Sequence, residues 1–158
     1  MYLVGSIRDK TTKDSDMSLL KISQLNGVMT VTSSYTITNT SRLNENATCI
    51  VLDSNDPPNV YIGGYSNVDT PDILDSSLPI LYKLSQDIAN NTFTIDTTFI
   101  YREFANKNDT AAYVVNKVLE GDSNILAAIT DKVISGKSKA LIIKINNLMI
   151  LLKILGVL

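Results

Sequence analysis

Carboxylates are the side chains of this chain most able to do chemistry. Asp53, Asn55 and Asp56 crowd together immediately before Pro57-Pro58, and Asp14 with Asp16 stands at a comparable point further upstream. Oxygen donors so closely spaced suit calcium, a hard cation that gathers oxygen ligands. Asp53, Asn55 and Asp56 are therefore weak calcium candidates. Neither segment, however, carries the glycine and closing glutamate of an EF-hand loop. Asp, Asn and Pro are also what turns are made from, because their side chains satisfy backbone groups locally. Carboxylates converging from distant positions offer a second chemistry, acid–base hydrolysis of a glycosidic bond, which depends on their separation in space.

The rest of the composition closes other routes. The chain has no histidine and one cysteine, so the usual base for activating a hydroxyl or thiol is missing, no intramolecular disulfide forms, and no cysteine pair has zinc spacing. Cys49 sits in the run Ala47 to Leu52 and reads as a small buried residue rather than a nucleophile. With 44% hydrophobic residues, 19% charged residues and a net charge of -2, the 158 residues can build a core and show no basic bias toward nucleic acid. Lys137, Lys139, Lys144 and Lys153 lean the last third positive, without the interleaved aromatics of a single-strand groove, and read as strand-edge lysines that discourage edge pairing. No cofactor is indicated.

The elements that must position these residues are strands, and they recur. Lys21-Ile22-Ser23-Gln24 and Lys83-Leu84-Ser85-Gln86 are nearly the same tetrapeptide 62 residues apart, and Lys144 follows 61 further on. Upstream stand Tyr2-Leu3-Val4-Gly5-Ser6, then Val60-Tyr61-Ile62-Gly63-Gly64-Tyr65-Ser66, then Ile125-Leu126-Ala127-Ala128-Ile129-Thr130. Val31 to Tyr35 matches Ile95 to Phe99, and Ala47 to Val51 matches Ala111 to Val115. Runs dense in Thr, Val, Ile, Tyr and Phe, several alternating apolar with polar, predict strands with one buried face. Self-similarity at this period predicts a repeat architecture. The rounds fall at about 1–43, 44–105 and 106–147, with an apolar tail over 148–158.

Four antiparallel strands per round fit the blade of a β-propeller. The rounds resemble the bacterial β-propeller repeat called the SBBP repeat, most clearly over Val60 to Ser66 and Leu81-Tyr82-Lys83-Leu84, with Asp16 to Ile22 and Lys139 to Ile145 as weaker copies. The resemblance implies an all-β fold of about two and a half four-stranded blades, one partial propeller domain over 1–158, too short to close a ring of the typical 4 to 8 blades. It also implies an exported or surface parent protein. The third round departs from the pattern, with Ala127-Ala128 set against Gly63-Gly64, and Met1 falls inside the first motif strand, so the first blade is expected to lack a strand. The tail Leu148 to Leu158 is too short to span a membrane and too uniformly apolar for an amphipathic helix.

These features predict a non-catalytic scaffold or binding module. Its loops Arg8 to Asp16, Asn67 to Ser77 and Thr130 to Ser138 would face a protein or glycan partner, and its open blade edges would offer a route to self-association. The alternative is a carboxylate-dependent enzyme such as a carbohydrate hydrolase, its acids converging at the propeller channel.

Overall fold

The computed structural model describes residues 1–11, 14–38, 44–67, 77–100, 112–121, 124–132 and 140–146, with side chains described for 1–11, 14–38, 44–66 and 78–99. Among the described residues the chain is all-β, with no helix and no closed barrel. The strands are β1 (Tyr2–Arg8), β2 (Ser15–Leu25), β3 (Val28–Ile37), β4 (Asn44–Leu52), β5 (Val60–Asn67), β6 (Ser77–Asp87), β7 (Thr92–Ile100), β8 (Ala112–Gly121), β9 (Asn124–Lys132) and β10 (Ala140–Asn146).

Neighbours in sequence pair antiparallel: β1 with β2, β2 with β3, then β4 through β7 in order, then β8 through β10. Among the shortest of these connections is a tight turn. Between β2 and β3 the chain reverses at Asn26 and Gly27, with φ of 51° and 80°, the left-handed pair that matches the twist of a two-residue hairpin and that Asn-Gly adopts readily. A parallel pairing of Ser15 with Asn44 joins the first three strands to the next four, giving a seven-stranded sheet alongside a separate three-stranded one.

Alternation along the strands decides which residues enter the core. Met17 and Leu19 on β2 and Ile37 on β3 are buried against Val60, Ile62, Ile80, Tyr82, Leu84 and Phe93 of the β4–β7 layer, with Tyr2, Val4 and Tyr35 packed around them. Each fully buried aliphatic side chain of this kind stabilises the fold by about 1.5–3 kcal/mol. Tyr2 meets Phe93 edge-on at 6.2 Å between ring centroids, a preferred aromatic geometry. At Gly64 the packing leaves no room for a side chain: a β-carbon would strike the backbone oxygen of Asn46 on neighbouring β4 and lie 2.8 Å from Met17 Cε of the facing layer. On the opposite face of β4–β7, Tyr61 and Leu81 are also buried, and β8 runs against β4, β5 and β6. The middle layer is thus covered on both sides.

Register aligns the three lysines. Lys21 stands opposite Tyr2, Lys83 opposite Tyr61 and Lys144 opposite Leu126. The ladders to the following strands slip at Lys21/Ile22 and again at Lys83/Leu84. In the third group the pairing sets Leu126, not Ile125, in the place of Tyr61, so Ala128 takes the place of Gly63 and Ile129 that of Gly64. A one-residue slip exchanges the two faces of a strand, so Leu126 and Ala128 share one side and Ala127 and Ile129 the other. The tail 148–158 lies outside the described residues, as do most of the segments 67–77 and 130–138.

Candidate functional site

The pairing itself gathers one end of the seven-stranded sheet. Arg8 pairs with Ser15, Ser15 with Asn44, Asn44 with Asn67 and Asn67 with Ser77. The β1–β2 turn and the strand ends flanking residues 39–43 and 68–76 therefore lie side by side in a row.

Among the described residues Asp9, Asp14 and Asp16 stand at this end. Within the β1–β2 turn the Asp9 amide donates to the Asp14 carbonyl at 2.8 Å, and Asp9 Oδ1 accepts from the Thr11 amide at 2.6 Å, an Asx turn of the kind short polar side chains form. Asp16 faces the same cluster. Burial pushes its carboxyl above the ordinary value, and the nearby charges of Asp14 and Asp9 push it further in the same direction.

Just inside this rim lies a buried acid. Glu45, one residue into β4, is 1% exposed. The Tyr82 hydroxyl on β6 donates to its carboxyl, with O···O distances of 2.9 Å to Oε1 and 3.1 Å to Oε2. Directly across the ladder from Glu45 is Ser66, fully buried, whose Oγ has no hydrogen-bond partner among the described residues. Buried polar groups are nearly always paired, which makes this hydroxyl unusual. At 1% exposure the Glu45 carboxyl meets no substrate in this arrangement and acts as an internal tie between β4 and β6.

Asp53 and Asn55 come together at the opposite end, in the loop between β4 and β5. Burial alone would raise the Asp53 carboxyl, but the Asn59 side chain, the Asn59 and Asn55 amides and the Asn55 side chain all donate to it and together hold it below its ordinary value. The four contacts run from 2.6 to 3.2 Å. Asn55 thus presents its amide nitrogen to Asp53, and the carboxylate organises the loop, while Asp56 precedes the cis bond to Pro57. Among the described residues, no group of three or more Asp, Glu or Cys is placed to hold a metal ion. Asp87 also lies at this far end, where the Asn90 side chain and amide bond it and lower its carboxyl below the usual range. Cys49 is half-buried on β4, with the Thr48 hydroxyl 3.8 Å from its sulfur.

Sequence reasoning missed Glu45. The signal was alternation interrupted by one residue: Thr48 is extra in the β4–β5 ladder, so Glu45 and Ala47 share a face with Ile50 and Leu52 although their spacing breaks phase.

Comparison with known proteins finds no family model, no curated protein and no solved structure that matches the chain. Among the described residues no helix is long and apolar enough to cross a membrane.

Proposed function

We propose that the chain is a non-catalytic repeat scaffold whose strand groups serve as blades of a β-propeller-like array of the SBBP type and whose loops at one end bind a protein or glycan partner. The observation that carries this reading is the row of strand ends Arg8, Ser15, Asn44, Asn67 and Ser77, which sets successive connections beside one another. Loops held by a rigid sheet are where binding residues gather. The common register of Lys21, Lys83 and Lys144 supports the repeat. Among the described residues the acids support binding over hydrolysis: Asp9, Asp14 and Asp16 sit on a hairpin end, Asp53 and Asp87 at the other end are engaged in turns, Asp96 pairs with Lys83, and Glu45 is sealed inside.

The test is to screen the full chain against glycan and peptide arrays and to assay every ligand found for turnover. Selective binding that falls at least about tenfold, or about 1.4 kcal/mol, in an Asp14→Asn/Asp16→Asn variant and is unchanged in Asp87→Asn is the expected result. Absence of selective binding, equal sensitivity at both ends, or product formation from a bound glycan would overturn it.

A further inference from the structure

The outer face of the β1–β3 layer carries exposed apolar residues interleaved with the polar Asp16, Ser18, Gln24, Ser34 and Thr36. Leu3, Ile7, Met29 and Val31 are 46%, 53%, 63% and 54% exposed. Single exposed apolar residues are ordinary, but Leu3 and Val31 flank the half-buried Leu20 and Ile22 of β2, and an apolar set shared across three strands marks an interaction surface.

The same molecule shows what covers such a face. Leu3 lies opposite Leu20 as Ile62 lies opposite Tyr82; Val31 lies opposite Ile22 as Ile95 opposite Leu84; Met29 lies opposite Gln24 as Phe93 opposite Gln86. In the β4–β7 layer these positions are sealed by β1–β3, and Ile62, Leu84 and Phe93 are 0%, 0% and 3% exposed. The glycines make the contrast sharper. Gly64, opposite Ile80, is the seat against which Met17 of the covering layer presses, whereas at Gly5, opposite Ser18 in the matching position, a β-carbon would meet nothing within 4 Å.

We infer that the outer β1–β3 face, centred on Gly5, is a docking surface for the β8–β10 sheet of a second copy of this chain, stacked head to tail. The inference rests on the repeat reading. Within the chain one face of β1–β3 lies on β4–β7, and the far face of β4–β7, with Tyr61 and Leu81, meets β8. Successive layers thus stack in one sense, and the intermolecular contact continues the intramolecular one. It runs through a sheet face rather than through open strand edges. A head-to-tail contact of this type is heterologous and builds rings or filaments according to whether its rotation closes.

Sedimentation of the full chain over a concentration series tests this, with Gly5→Val and Val31→Glu as variants. Both sites are open, so both variants are expected to keep the wild-type circular dichroism and unfolding midpoint. The wild type should associate, and both variants should shift the association midpoint at least tenfold toward higher concentration. A wild type that stays monomeric, or association that neither variant alters, overturns the inference while leaving the array-binding result of the proposed function untouched. Leu3→Cys in a Cys49→Ser background separates the geometries: rapid formation of a symmetric disulfide dimer would show the two β1–β3 faces meeting each other and overturn the head-to-tail contact.

Discussion

Tyr82→Phe and Ser66→Ala should change stability in opposite directions, although the two residues sit in the same buried layer. In the wild type the Tyr82 hydroxyl lies 2.9 and 3.1 Å from the Glu45 oxygens, and both residues are at most 1% exposed. Water therefore does not replace the lost donor in Tyr82→Phe. A buried acceptor deprived of a partner costs about 1–3 kcal/mol, and a loss of about 2 kcal/mol corresponds to a fall in Tm of about 4–8 °C in a chain of this size. Ser66 presents the converse case. Its hydroxyl is fully buried and unpartnered among the described residues, so folding carries its desolvation penalty without compensation. Removing one oxygen takes away that penalty and a little packing, and Ser66→Ala should gain about 1 kcal/mol. Urea unfolding followed by circular dichroism, with m-values compared to confirm an unchanged transition, measures both. A Tyr82→Phe midpoint within about 0.5 kcal/mol of wild type, or a Ser66→Ala variant as destabilised as Tyr82→Phe, would refute the reasoning, because each would show the layer to be wetter or looser than its burial implies.

Three further outcomes follow from named contacts. Gly64→Ala drives a methyl group into the backbone oxygen of Asn46 and toward Met17 Cε, and since backbone yields less readily than side chain it should cost about 2–4 kcal/mol in thermal unfolding. Asp53→Ala removes the acceptor for four hydrogen bonds and should cost about 1–2 kcal/mol. Because folding lowers the Asp53 carboxyl, its contribution is full above the unfolded-state pKa and is lost as pH falls through the folded value, so wild type and Asp53→Ala should converge in an acid titration of stability. Asp16 runs the other way. Its carboxyl is raised in the fold, so its ionisation opposes folding as pH rises through the unfolded-state value toward the folded one, and Asp16→Asn should raise the unfolding midpoint at pH 7 while leaving it unchanged well below the carboxylate range.

The strands were readable because β-branched and aromatic residues fill Thr30 to Ile37 and Phe93 to Ile100, and the matched lysine segments reappear in matched register. The third group was misplaced by one residue. Ile125, Leu126 and the alanines that follow are apolar without interruption, and period-two alternation, the signal that fixes a face, is absent there. Glu45 was hidden for a different reason. Asn44-Glu45-Asn46 has the composition of a turn, and its partner Tyr82 lies 37 residues away in sequence, out of reach of any local pattern. The Asp53 loop was legible as oxygen-rich, but the direction in which Asn55 and Asn59 point their amides is set by the fold of the loop and not by their spacing.

The Ser15–Asn44 pair is the sole parallel link among the described strand pairings; every other ladder joins strands that follow one another in the chain. This has a kinetic consequence. Hairpins closed by short turns form without waiting for distant sequence, so loop-closure entropy is small at each step. As the chain emerges from a ribosome, β1–β3 can assemble before β4 exists, and each later group finds a completed apolar surface on which to settle. Order would then spread from β1 toward β10, and amide exchange should be slowest in the middle layer, which is locked only when its neighbours on both sides have arrived.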